Sequence, residues 1–168
     1  MPIQKITNQL NNINWISKVN INSNYKNLVS IVIEEEIPLG IYYNGNKKTL
    51  FSKNLKTLEI LTDDSNFQKL IKFYGEDSIG QSLKLIQNLD INILNLIESA
   101  IYIEKRRWNL QLKNDILLKL SESNINNSLK NFMKINDKLS EDDLKNIEII
   151  DLRIMNKAII RYKNLLND

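Results

Sequence analysis

Ile3, Ile6 and Leu10 recur at spacings of three and four behind Pro2. That is the pattern of a short amphipathic helix with proline in its first turn, and Asn11-Asn12 ends it. Trp15-Ile16, Val19 and Ile21 then predict a strand, followed by a turn at Asn22-Ser23-Asn24. From Leu28 to Glu35 the β-branched run LVSIVIEE predicts a second strand. Val29, Ile31 and Ile33 fall on one face and Leu28, Ser30, Val32 and Glu34 on the other. Pro38 marks a strand start or an edge. Asn44-Gly45 is a hairpin signal that pairs Ile41–Tyr43 with Thr49–Phe51.

Leu58–Leu61 reads as a short strand, broken at Asp63-Asp64-Ser65, and Leu70–Tyr74 as an apolar segment ending at Gly75. Asp77 or Ser78 caps a helix to about Asn88, with Ile79, Leu83 and Ile86 on one face. Ile91–Ile97 fits helix and strand equally. Ser99–Lys105 alternates as a strand, and so do Trp108, Leu110 and Leu112 against Arg107, Asn109 and Gln111. Asn114-Asp115 turns the chain into Ile116–Leu120, which makes a hairpin. Asn126 or Asn127 caps a helix carrying Leu129, Phe132 and Met133, and Ser140–Asp143 is an acidic cap region. Ile147–Arg153 and Ala158–Tyr162 form a last hairpin around Asn156-Lys157, before a tail holding Leu165-Leu166. Sequential hairpins with interspersed helices predict an α+β chain built on an antiparallel sheet.

Composition narrows the chemistry. The 168 residues contain neither His nor Cys. That removes Ser-His-Asp and Cys-His catalysis, Cys/His zinc sites and thiol redox chemistry. Carboxylate chemistry, a Ser-Lys dyad and oxygen-ligand metals remain. No GxGxxG or GxxxxGK is present among the four glycines. No apolar run approaches the roughly eighteen residues of a membrane span, and no signal-peptide pattern opens the chain. Read alone, the chain is expected to be soluble.

The net charge is +3, and all of it lies after residue 46, because Lys5, Lys18 and Lys26 balance Glu34, Glu35 and Glu36 before it. Lys outnumbers Arg 19 to 4. Where Lys is the default cation, an Arg marks a place that needs its planar fork. The four are Arg106, Arg107, Arg153 and Arg161.

Two constellations stand out. The first is Glu104-Lys105-Arg106-Arg107-Trp108. It is either a strand with a core Trp and solvated cations, or a basic surface beside an aromatic that suits a carboxylate-bearing partner. The second is the last hairpin, where Lys145, Arg153, Lys157, Arg161 and Lys163 face only Glu148 and Asp151. Asp151 and Arg153 share a strand face and can pair on the surface. The hairpin as a whole reads as a basic, apolar sheet edge open to strand addition. Glu34-Glu35-Glu36 cannot converge on one site from a strand and reads as a solvated strand end. Asp63-Asp64 and Glu141–Asp143 read as helix-start charges. The aromatics are scattered among the cations, which leaves nucleic-acid binding as a minor alternative.

These segments, in this order, resemble the periplasmic part of the bacterial cell-division family FtsQ/DivIB, most of all its alphaproteobacterial branch. Leu10–Ile16 (LNNINWI) is similar to the family's L-x-x-L-P-W-V, and Tyr25–Ile31 to Y/W-P-x-x-L-x-I. Glu35–Pro38 resembles E-R-x-P. Arg106-Arg107-Trp108-Asn109-Leu110 with Asn114 resembles R-R-W-x-L-x-L-x-N-G, and Ile150–Arg153 resembles V-D-L-R. Asn14, Glu36 and Asp115 depart from the pattern.

The resemblance implies a partial POTRA domain (helix-strand-strand) at 1–43, entered at its second helix, and an antiparallel mixed β domain with flanking helices at 44–162. A tail at 163–168 follows. Residues 1–43, with part of the POTRA core uncovered, are expected to be the less stable part. The resemblance also implies a non-enzymatic scaffold without cofactor or metal. The family sits on the periplasmic side of the inner membrane, anchored by a preceding transmembrane helix. There it recruits FtsB and FtsL in the divisome, which regulates septal peptidoglycan synthesis. FtsB adds a strand beside the last hairpin. By position the contact falls on Arg153, Ile154, Asn156, Lys157 and Tyr162, with Arg106 nearby; Ile154 and Tyr162 stand where aromatics are common, and Lys157 where Gly is. The alternatives are a POTRA/β-domain adaptor of another envelope complex, and a carboxylate-dependent envelope hydrolase, which would need two acids converging in one cleft.

Overall fold

A computed structural model describes residues 3–24 and 26–163. Pro2, Tyr25 and Leu165-Leu166 lie outside the described residues. Helix α1 (Ile3–Asn11) precedes strands β1 (Ile16–Ser23) and β2 (Val29–Glu35), which pair antiparallel as a two-stranded sheet. Their turn is organised by Asn24, whose Oδ1 accepts from the backbone N–H groups of Lys26, Asn27 and Leu28 at 2.9–3.1 Å. An Asn side chain replaces backbone partners in this way in many turns.

The remaining strands form one nine-stranded sheet. They are β3 (Pro38–Asn44), β4 (Lys47–Ser52), β5 (Thr57–Leu61), β6 (Ile71–Tyr74), β7 (Ile97–Ile103), β8 (Arg107–Leu112), β9 (Leu117–Lys119), β10 (Ile147–Asp151) and β11 (Ile159–Tyr162). Their spatial order is β11-β10-β9-β8-β7-β6-β3-β4-β5. Helices α2 (Ser78–Gln87) and α3 (Ile91–Leu96) lie in the chain between β6 and β7. Helices α4 (Ile125–Asn136) and α5 (Glu141–Asn146) lie between β9 and β10. The architecture is α+β, a helix–hairpin layer followed by a mixed sheet with its helices.

The sheet is not antiparallel throughout. β3–β6, β6–β7 and β9–β10 are parallel pairs. The reason is the crossovers. A parallel neighbour needs a connection of a dozen or more residues, which the helical segments supply for β6–β7 and β9–β10 and the β4–β5 excursion supplies for β3–β6.

Local details also differ from the sequence expectation. The first hairpin pairs Ile41 with Leu50 and Tyr43 with Lys48, one position off the expected register, because the loop is Gly45-Asn46 and Gly45 takes φ +57°. The strand expected to run from Ser99 through Lys105 stops at Ile103. Glu104 and Lys105 adopt φ of 51° and 55° and turn the chain into β8.

The ambiguous stretch Ile91–Ile97 splits, with α3 ending at Leu96 and β7 starting at Ile97. The buried stripe of α2 is Ser78, Ser82 and Leu85, whereas Leu83 is only partly covered. Small serines let the helix approach the sheet closely. Asp77, in the left-handed region, makes no side-chain cap bond. The cap of α4 is Asn124, accepting from Asn127 N–H at 2.9 Å, so Asn126 and Asn127 lie inside the helix.

One large core runs through the sheet and helices. Phe51, Phe73, Trp108, Leu110, Leu118, Leu120 and Ile150 from the strands and loops meet Leu85, Ile93, Leu129 and Phe132 from the helices. Trp108, a core residue, packs at a tilt against Tyr102 with ring centres 4.7 Å apart and edge-on to Phe73 at 6.0 Å. A smaller cluster, Ile41, Leu50, Leu58 and Leu61, receives Trp15 from the first layer.

Hydrogen bonds to backbone carbonyls join the two parts. Glu36 N–H donates to Trp15 C=O at 2.8 Å, and the Lys56 ammonium to Ile16 C=O at 3.1 Å. Glu36 is buried and accepts from Asn54 Nδ2 at 3.0 Å, so the acidic strand end is solvated only at Glu34 and Glu35.

Candidate partner-binding edge

β11 is a terminal strand, bonded to β10 alone. The sequence places it there by a tight turn after β10, with Asn156 at φ +58° and Lys157 N–H donating to Ile154 C=O at 3.2 Å. The strand is short, and Ile159, Arg161 and Tyr162 are exposed on it. The turn before it exposes Ile154 and Met155, the latter 70% accessible. A run of large apolar side chains on an unpaired edge is a surface that proteins usually blunt or use.

Much of the hairpin's positive charge is held locally. Arg153 forks onto Asp151, with Nε to Oδ1 at 2.9 Å and Nη2 to Oδ2 at 2.6 Å, and its backbone N–H adds a third bond at 3.1 Å. Burial pushes the Asp151 carboxyl up, but the bonds and charge of Arg153, with Lys119 behind them, outweigh it. The group is held below its ordinary range. Arg161 reaches Glu148 at 2.8 Å, and Lys145 reaches Asp142 at 3.0 Å.

Arg106 and Arg153, far apart in sequence, line one open groove with Arg107, Ser121, Glu122 and Ser123. Arg106 clasps Glu104 through Nε at 3.0 Å and Nη2 at 2.7 Å, and faces Glu122 at 3.6 Å. Those contacts hold the Glu104 carboxyl below its usual value. Arg107 is more enclosed, and its buried Nε has no hydrogen-bond partner among the described residues. The groove therefore presents guanidinium groups already engaged by carboxylates, an arrangement that an incoming carboxylate can exchange into.

Asn156 and Lys157 line a different shallow groove, against Asn131, Lys134 and Ile135 of α4. Tyr162 pairs with Ile147 at the far end of β11 from the turn. Of the six residues expected at the contact, Arg106 and Arg153 share one groove, Asn156 and Lys157 line another, Ile154 is exposed in the turn and Tyr162 lies at the far end of β11. Sequence reasoning did not single out Met155 and Ile159, both exposed, or Glu122. Alternation along β11 carried the signal for Ile159; Glu122 comes to Arg106 only through the fold, whereas Glu104 is its neighbour in sequence.

The opposite border of the sheet is different. At β5, the Asn14 side-chain amide donates to Leu58 C=O at 3.4 Å, so the first layer leans on that edge. Asp63 bonds Ser65 N–H at 3.1 Å, as a turn-start carboxylate does. Asp64 does not cap in that way. It accepts from Lys48 at 2.8 Å and from the Tyr43 hydroxyl. Among the described residues no three acidic groups stand together in a cation-binding cage, and no helix is long and apolar enough to cross a membrane.

A helix–hairpin layer leading into a mixed sheet that ends in an exposed hairpin defines a two-part α+β protein. The family model for the C-terminal region of cell-division protein FtsQ/DivIB matches residues 41–153, from β3 to the arginine after β10. The chain belongs to the FtsQ/DivIB cell-division family. It is similar to cell division protein FtsQ of Rickettsia prowazekii, 30% identical over 163 residues that cover 96% of this chain and 60% of that protein. The same protein of Rickettsia felis is also 30% identical, over 95% of this chain and 60% of that one. The Rhizobium radiobacter protein is 27% identical over 88% of this chain and 70% of that one. These are alphaproteobacterial relatives. The chain spans about three fifths of the length of the Rickettsia proteins it matches.

Proposed function

We propose that this chain acts by binding rather than by catalysis, as a division scaffold that recruits FtsB and FtsL through strand addition at β11. It would work on the periplasmic side of the inner membrane and help regulate septal peptidoglycan synthesis. The observation that carries the reading is β11 itself. It is an edge strand bonded on one side only, exposing Ile159 and Tyr162 next to Ile154 and Met155. Main-chain hydrogen bonds to an added strand supply affinity, and the Arg106–Arg153 groove supplies register by pairing with partner carboxylates. The support is asymmetric, since the first layer leans on the opposite edge, β5.

We also propose a domain division. α1, β1 and β2 would form the POTRA part and the nine-stranded sheet the β domain. That sets the division near Glu36–Ile37 and assigns β3, which pairs with β4 and β6, to the second domain.

The test is calorimetric titration with the periplasmic segment of FtsB from the same genome. Arg153→Glu and Tyr162→Lys should each weaken binding by about 2 kcal/mol or more, as central interface substitutions do. Unchanged affinity in both folded variants would remove β11 and its groove from the contact.

A further inference from the structure

Glu104 opens the turn between β7 and β8, and the backbone of that turn is fixed. Glu104 and Lys105 both take left-handed φ. Arg106 N–H donates to Ile103 C=O at 3.1 Å, and the Tyr102 hydroxyl donates to Lys105 C=O at 2.8 Å. The Lys105 ammonium is taken by Glu76 and Asp77. Glu104 is left to the arginines. One of its oxygens, Oε2, accepts from Nε and Nη2 of Arg106 and stands 3.5 Å from Nη1 of Arg107. The other makes no hydrogen bond among the described residues.

Arg153, across the same groove, is held differently. The Asp151 side chain is only 15% exposed, and it accepts from the Arg153 backbone N–H as well as from Nε and Nη2. That pair cannot part without leaving a largely buried carboxylate unsatisfied. The Glu104 side chain is 62% exposed, and its carboxylate bonds only to side chains. Water replaces those bonds when it swings out, so breaking the pair changes an equilibrium constant by no more than about fivefold, as for other exposed ion pairs. Glu122 stands 3.6 Å from Arg106, beyond hydrogen-bond distance. Of the acids around this groove, Glu104 is the one that both fills an arginine and is free to leave it.

We infer that Glu104 is a built-in competitor: its carboxylate occupies the Arg106–Arg107 side of the groove and must be displaced before an acidic partner segment pairs there. This rests on the reading of the groove as a carboxylate-binding surface. Displacement has a signature. One carboxylate replaces another on the same guanidinium groups, so affinity depends weakly on salt. Without Glu104 the incoming carboxylate meets open cations, and binding becomes tighter and more sensitive to screening.

The experiment is calorimetric titration of the wild-type chain, Glu104→Gln and Glu98→Gln at low and high salt, with circular dichroism to verify folding. Glu98→Gln removes the same charge at the other end of β7, where Glu98 pairs with Lys72 at 2.9 Å. Two probes are used, the FtsB segment and acetylated tri-glutamate. Glu104→Gln should bind about two to five times more tightly than wild type at low salt, with the gap narrowing at high salt, while Glu98→Gln stays at the wild-type affinity. A gain with tri-glutamate alone keeps the competitor and takes FtsB off the groove. No gain with either probe overturns the inference; if the FtsB segment then still binds all three chains equally, the scaffold reading survives without it. An equal gain in Glu98→Gln also overturns it, since net charge and not the groove would then be the cause.

Discussion

Asp64 sits 16 residues beyond Lys48 and 21 beyond Tyr43, and nothing local in the sequence marks it as their partner. The fold brings them together over the first hairpin. Tyr43 stacks on Tyr74 at 5.1 Å, and Lys48 lies 5.8 Å from the Tyr43 ring centre. The hydrogen bonds from Lys48 and then Tyr43 hold the Asp64 carboxyl down at about 2, against an ordinary 3.8. Burial, with the Asp64 bond and charge added, holds the Tyr43 hydroxyl protonated well above its ordinary range. As pH falls, the unfolded chain takes up this proton first. The stabilisation from Asp64 is therefore full above about pH 4 and lost as pH drops through about 2. Asp64→Asn should cost about 1–2 kcal/mol at pH 7 and remove that part of the acid limb, measured by urea unfolding at pH 7, 4 and 2.5. Gly75 makes a second residue-scale prediction. Its φ is +95°, and a Cβ there would strike the carbonyl of Tyr102. Gly75→Ala should destabilise by about 3 kcal/mol, read from the denaturation midpoint.

Elements differ in how openly the sequence declares them. α5 is only six residues long, yet its start is unambiguous. Ser140 Oγ accepts from Asp143 N–H at 3.1 Å, and Asp143 accepts from Ser140 N–H at 3.0 Å, a reciprocal cap with Glu141 and Asp142 in the first turn. Ser140→Ala should cost about 1 kcal/mol, with a matching fall in thermal midpoint. β8 was equally legible, because Trp108, Leu110 and Leu112 alternate and are all buried. α2 was not. Its periodic apolar residues Ile79, Leu83 and Ile86 outlined a face, but the residues that become fully buried are Ser78 and Ser82 with Leu85. Hydrophobicity points to where a helix can be buried; the distance to the layer beneath decides which side chains fit there. The parallel strands were hidden for a similar reason. An apolar strand has the same alternation whichever way its neighbour runs, and direction depends on the route of the connection.

On the scale of the whole molecule, stability is unevenly spread. The core of the nine-stranded sheet and its helices holds Phe73, Leu110, Leu118 and Phe132 with no exposure at all, whereas α1 contains no fully buried residue and β2 is bare. Amides of β1 and β2 should exchange well before those of β7, β8 and β10 in dilute solution, resolved by mass spectrometry of peptic fragments. Equal protection would mean that the two parts open as one unit. Leu118→Ala should lower the stability of the large sheet by about 3 kcal/mol and leave early exchange in β1 and β2 unchanged, because that layer opens first.

The amino-acid sequence by itself determined the α+β class, most strand and helix positions, the unequal charge of the two parts and membership of a cell-division family. Each of these rests on short-range periodicity or on residue types, which a linear chain displays directly. The tertiary structure alone decided the parallel pairings, the burial of Glu36 against Asn54, the Tyr43–Lys48–Asp64 cluster and the single groove shared by Arg106 and Arg153. It also decided that β5 lies at the other edge of the large sheet. These are matters of long-range contact. The residues involved come from distant parts of the chain, and their energy depends on a distance that exists only after the sheet has closed its order.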